Sequence, residues 1–436
     1  MTAQRTFKQT VRERMTKTGE RYTAARAALL QSHPPAPVPG LFPNYRLAGS
    51  VSADTGALRN VLAAAGVALA HTGKPPAEAV VSGLCGGVGF LYAVFEYDGT
   101  PPLLSVLTRY DTMPDSYVAG GLARLGVAAT TRATGSAATA KKHLDAVIEA
   151  KTPALCVIDR AGLIEDADAR LSGYGPAVVA LAGADGDDLL IDDGSPTPRR
   201  VERDRFARAR SAYKKAKHRL VTIDPGAGRV DVAAPDRAAA AATADRYTTA
   251  PYKGFASNFG FAGMEKWRRL LTDRKDAKGW PTLFPHGRLA YLALRRTFDG
   301  LEHEYTAPAA GRPEYAEFLD GAAKATGDAR LRAAADAFRA AGAAWSALTR
   351  AIETCGDATV EEGCRLGESF RELVDECGCP DEGEPVRVAR ERQALAHKCK
   401  LSAADAAALY AALADHLGTA IDRERAAVAA LNAAVG

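Results

Sequence analysis

The chain has 436 residues, 47% hydrophobic and 25% charged, with a formal net charge of +4 and seven cysteines. That length accommodates two or three domains, and the composition is that of a globular protein, not of a disordered or collagen-like one. No apolar run is long enough to span a bilayer, the first twenty residues hold no secretory core, and the odd cysteine count fits reduced thiols, so a cytoplasmic location is expected.

Residues 7–30 read as a helix, with Phe7, Val11 and Met15 at i, i+4 spacing. HPPAPVPG at 33–40 reads as a linker, because each proline fixes φ and removes a donor. Together, residues 1–43 form a basic arm and a proline-rich linker. SVSADTGALRNVLAAAG, residues 50–66, runs from small polar residues into a helix over 54–65. Ser52 or Asp54 caps it and Gly66 ends it. A helix start of this kind can carry a nucleophile. The candidates here are Ser50, Ser52, Ala53 and Thr55, and none is a cysteine.

From 79 to 232 the pattern becomes α/β. AVVSGLCGGVGFLYAVFEY predicts a strand, a glycine turn and a second strand. GLCGGVG lacks the ending of a phosphate loop, so Gly86 and Gly87 read as a turn between strands, and Cys85 is either a reactive thiol or a buried inert one. PPLLSVL is a further apolar stretch, and helices are expected at 115–126 and 137–150. PALCVID, PAVVALAG and DLLIDDG read as buried strands at 153–159, 176–183 and 188–194, with ADGDD as a hairpin turn. Asp192 and Asp193 close the last of these. They either orient an imidazole or cap the DGS turn. A basic helix at 202–217 and a closing strand at 218–224 follow. The basic run 199–219, with Arg203, Arg208 and Lys215, is either a solvated face or an attractor for an anionic partner. The absence of interleaved aromatics disfavours nucleic acid.

GAGRVDVAAPDR at 226–237 marks a domain boundary, after which the chain reads as helical. Residues 331–353 place Leu331, Phe338, Trp345, Leu348 and Ile352 near one stripe, and a last helix runs from Ser402 to about Asn432. Cys355, Cys364, Cys377, Cys379, Cys399 and His397 gather in this half, but without a CxxC spacing no metal site is expected. No HExxH, GxSxG or Walker pattern occurs, and no cofactor is implied.

DTGALRNVLAAAG, AVVSGLCGGVGFLYAVFEY and YGPAVVALAGADGDDLLIDDGSPTPRRVERDRFARAR, in that order, resemble the butirosin biosynthesis protein H family. FASNFGFAGMEKWRRLL and GRPEYAEFLDGAAKAT are similar to the helical domain that usually follows it. The resemblance covers roughly residues 44–350. It implies an α+β protein: a papain-like domain over 44–232 and an all-α domain over 233–436. It also implies transfer of an acyl or aminoacyl group from a carrier-protein thioester to an amine, by a cysteine at a helix start and a histidine opening a later strand. On those positions this sequence places Ala53, preceded by Ser52, and Ala177, while Asp192 or Asp193 survives as the acid. Ser52 and Cys85 are the substitutes for the nucleophile, and Asp54, Thr55, Gly86, Gly87 and Tyr174 would line the cleft. The function so implied is altered acyl-transfer chemistry in natural-product biosynthesis. The alternative is a non-catalytic paralogue that binds a carrier protein, a peptide or an active homologue, with Arg203, Arg208 and Lys215 at the partner face.

Overall fold

The computed structural model describes residues 38–109, 113–163, 176–226, 228–304, 308–377 and 383–436, with a few of the first 37. Most of the helix expected at 7–30, most of the linker, Tyr174 and Cys379 lie outside the described residues. The chain forms two units: residues 1–81, 113–231 and 371–386 in the first, and 82–112, 232–370 and 387–436 in the second. One division between the units falls between Asp231 and Val232. The continuous domain expected over 44–232 is instead interrupted, because 82–112 packs with the helical unit.

The elements begin with α1 (Ala53–Ala64), β1 (Ala68–Leu69) and α2 (Glu78–Cys85), the last running across the division between units. The strands β2 (Leu91–Phe95) and β3 (Leu103–Leu107) belong to the second unit. The first unit resumes with α3 (Pro114–Leu125), β4 (Ala129–Arg132), α4 (Ala137–Glu149), β5 (Ala154–Asp159), β6 (Pro176–Asp185) and β7 (Asp188–Asp192). It ends with β8 (Arg199–Glu202), α5 (Arg203–Ala212), β9 (Leu220–Ile223) and β10 (Arg229–Val230). Six strands form one antiparallel sheet in the order β4-β9-β5-β6-β7-β8. Beneath one face, Leu144 and Val147 of α4 and Phe206 and Ala209 of α5 pack on Cys156, Ile158, Val179, Leu181 and Ile191. Side chains alternate along a strand, so Val178 and Ala180 point to the other face, where α1 and α3 pack against β6.

Two sequence expectations change here. Residues 78–85 are a helix, not a strand: a short apolar run buried on all sides has no periodicity to separate the two. The glycine pair then ends a helix, with Gly86 and Gly87 at positive φ. The basic helix expected at 202–217 stops at Ala212, a single turn of 3₁₀ helix spans Lys214–Ala216, and Lys217 and His218 are both left-handed, at φ of 49° and 50°.

The second unit adds α6 (Ala233–Asp245), α7 (Gly260–Thr272), α8 (Trp280–Leu283), α9 (Gly287–Glu302), α10 (Arg312–Thr326), α11 (Ala329–Glu353), the larger part of α12 (Ala358–Cys377) and α13 (Glu384–Lys398), whose residues 371–386 belong to the first, and α14 (Ala403–Val435). It is not wholly helical, since the β2–β3 hairpin lies within it. Trp280 donates to the Tyr92 hydroxyl at 3.0 Å, and Trp267 stacks on Phe90, Tyr92 and Trp345. The stripe read at 331–353 is buried in full. Among the described residues no helix is long and apolar enough to cross a membrane.

Candidate functional site

The start of α1 is held by a carboxylate from α2. Glu78 accepts from the amides of Val51 and Ser52 at 3.1 and 2.9 Å and from the Thr55 hydroxyl at 3.1 Å, and Arg59 lies 3.4 Å away. Burial raises the Glu78 pKa, against the pull of Arg59 and these donors. A carboxylate at a helix start also meets the positive end of the helix dipole. Ser52 is the N-cap residue, extended at φ −126° and ψ 128°, yet its side chain caps nothing. Its hydroxyl donates to Asp54 Oδ1 at 2.9 Å, and the Thr55 amide donates to the same oxygen at 2.9 Å.

A second carboxylate closes the site from the sheet. Asp192 is fully buried and accepts from the Tyr45 hydroxyl at 2.6 Å, Asn60 Nδ2 at 2.7 Å and the Gly194 amide at 2.9 Å. Burial lifts its pKa, and these three donors restrain the rise. Arg59 Nε donates to Asn60 Oδ1 at 3.1 Å, so a continuous network runs from Asp192 through Asn60 and Arg59 to Glu78. Asp193 accepts from the Ser195 amide at 3.4 Å and lies 3.7 Å from Arg199. The DGS turn rests directly on the helix start. Gly194 has φ +94°, and a Cβ there would come within 2.8 Å of Ala53 Cα.

The chain thus brings a helix start and a buried strand-end acid together on one sheet face. A model of the N-terminal domain of butirosin biosynthesis protein H matches residues 52–193, from the N-cap serine to the strand-end acids, and a domain of unknown function (DUF4872) matches 202–376. The chain belongs to the butirosin biosynthesis protein H family. No curated protein matches it. A crystal structure described as a C39-like peptidase from Bacillus anthracis is similar at 14% identity and a TM-score of 0.29, over 42% of this chain and 96% of that one.

Within this family frame the candidate residues separate. Ser52, Ala53, Asp54, Thr55 and Asp192 converge at the α1 start. Ala177 does not. It pairs with Ile158 and packs into the cluster beneath α4 and α5. Ala180 pairs with Asp192, so the β6 positions that share the α1 face are Pro176, Val178 and Ala180. None of these carries an imidazole either. His143 sits on α4, His71 follows β1 and His218 follows the 3₁₀ turn, and among the described residues no histidine bonds to Ser52. Cys85 is buried at the end of α2, in the second unit. Gly86 O accepts from Arg246 at 2.8 Å, and a Cβ on Gly87 would meet the Tyr315 ring at 2.5 Å, so this segment is a packed helix end. Of the partner-face residues, Arg203 lies 3.4 Å from Asp145, while Arg208 and Lys215 are exposed. Cys355, Cys364 and Cys399 are free thiols, and among the described residues no three metal-ligating side chains are grouped.

The sequence reading missed Tyr45, Arg59, Asn60 and Glu78. A signal existed for two of them: Arg59-Asn60 interrupts an apolar helix. Tyr45 and Glu78 reach the site only through the fold. Chemically, the site holds a hydroxyl whose hydrogen bond goes to a carboxylate. Two loop amides that could have met an oxyanion are already taken by Glu78.

Proposed function

We propose that this chain serves natural-product biosynthesis by binding an acyl or aminoacyl group presented on a carrier protein, without forming an acyl-enzyme. The reading rests on one observation: the hydroxyl at the α1 start donates to Asp54, and among the described residues no histidine of the sheet face opposite reaches it. A serine is almost un-ionised at neutral pH and attacks a thioester only when a neighbouring base takes its proton. The occupied amides of Val51 and Ser52 support the same conclusion, since an oxyanion needs free donors. Such a protein holds the group for an active homologue.

The second reading keeps catalysis. Ser52 hydrogen-bonds a carboxylate, so a serine–aspartate pair, or transfer between two reactants held side by side, remains chemically coherent. Intact-protein mass spectrometry after incubation with an activated acyl thioester separates the two. No adduct is expected, together with retention of an acyl-loaded carrier protein on the immobilised chain. An adduct of acyl mass lost in Ser52→Ala would replace the first reading with the second. One lost only in Cys85→Ser would move the chemistry to the second unit.

A further inference from the structure

Two members of the basic run that the α1 site leaves unused, Arg210 and Lys217, lie at one corner of the first unit. Arg210 of α5 is fully buried, yet Nη2 donates only to the His218 carbonyl and Nε has no partner. Among the described residues no carboxylate pairs with it. Arg132 ends β4 opposite Leu220, which in turn pairs with Cys156. Paired residues share a face, so Arg132 projects to the side of the sheet that carries Cys156 and α5. Arg210 is close enough to pull down the pKa of the Cys156 thiol, which burial raises. Arg132 also has no ion-pair partner among the described residues.

Two further features meet there. The amide of Thr134 donates to the Lys217 carbonyl at 2.7 Å, which sets the left-handed Lys217–His218 turn against the entry of α4. That helix starts at Ser136, whose hydroxyl accepts from the Thr139 amide at 3.3 Å, and its first turn holds no acidic residue, so no charge there offsets the dipole and the amides of Ala137 and Ala138 are left to a ligand. The nearby acids are committed elsewhere: Asp115 to Arg219, and Asp145 to Lys141 and Arg203. A buried guanidinium without a counter-charge is costly, and an anion would compensate it.

We propose that this corner binds a phosphoryl group, with Arg132 and Arg210 as forked donors, the α4 start as an amide cradle and Lys217 at the rim. Guanidinium pairs at a helix N-terminus match a tetrahedral dianion better than a carboxylate or a halide. The site is separate from the α1 site and does not depend on how that site is read.

Thermal unfolding and calorimetry with inorganic phosphate, pyrophosphate, acetate and chloride at matched ionic strength test it, with a short single-stranded oligonucleotide as a further arm. Phosphate and pyrophosphate should raise Tm above the chloride control, and acetate should not. Arg132→Gln should fold normally and lose about tenfold or more in phosphate affinity, as expected for one charge-assisted bond. Lys217→Gln should lose less. Phosphate binding unchanged in Arg132→Gln, equal effects of all four anions, or binding of the oligonucleotide alone would each overturn the assignment.

Discussion

Ser52 and Asp54 are joined by a 2.9 Å hydrogen bond across the first turn of α1, so the N-cap hydroxyl points along its own helix and not toward the sheet. Because the bond is local and Ser52 caps no amide with its side chain, Ser52→Ala should cost only about 0.5–1.5 kcal/mol. It should leave thioester labelling at its background level. In Ser52→Cys, Asp54 and Glu78 offset the helix dipole. The new thiol should therefore alkylate with iodoacetamide along an ordinary curve centred near pH 8.5. Full reactivity already at pH 6 would show an activating group at the helix start.

Glu78 carries more structural weight. It is the only carboxylate among the described residues found within ion-pair distance of Arg59, and it also fixes the loop amides before α1. Glu78→Gln keeps an acceptor but leaves a buried guanidinium without a counter-charge. Urea unfolding should report a loss of about 3–5 kcal/mol. Adding Arg59→Leu to Glu78→Gln should restore part of that loss, because the orphaned charge goes with it. If the double variant is less stable than Glu78→Gln, the pair is not the source of the cost.

In the second unit, His303 lies between two carboxylates, Asp299 at 3.4 Å and Glu368 at 3.3 Å, and Arg392 forks onto Asp299. Burial disfavours the imidazolium, but the bonds to Asp299 and Glu368 outweigh it and lift the pKa from 6.5 to about 9. A base whose pKa rises on folding adds stability that is complete below its unfolded value and lost as pH rises through the folded one. The chain should therefore lose on the order of 3 kcal/mol between pH 6.5 and about 9. His303→Gln should flatten that part of the stability–pH curve. An unchanged curve would mean that other groups set it.

Regular patterns were legible and long-range closures were not. The stripe from Leu331 to Ile352 has helical spacing over six turns, and ADGDD carries its own turn chemistry, so both elements are where local physics puts them. Residues 78–85 are too short and too uniformly apolar for either period to show. Asp192 was legible as a strand-end acid. Its partners were not, because Tyr45 and Asn60 stand 147 and 132 positions away: the packing of α1 on the sheet brings in Asn60, and the pairing of residues 41–42 with β6 brings in Tyr45. Ala177 was misplaced for a related reason: alignment by motif does not see which face of a strand a position occupies.

That face can be tested by rebuilding the lost pair. Pro176 begins β6, is half-buried and shares the α1 face with Val178 and Ala180, whereas Ala177 packs against Ile158 under α4 and α5. Ala53 opens α1 against the Gly194 turn. In an Ala53→Cys background, Pro176→His should set an imidazole toward the new thiol, and labelling with iodoacetamide should shift below the ordinary thiol range. Ala177→His in the same background should leave the labelling curve where Ala53→Cys alone has it. It should also lower stability by about 1–3 kcal/mol, because it drives a polar ring into an apolar cluster. The opposite assignment of the two histidines would return Ala177 to the site and reverse the register of β6 on which this placement depends.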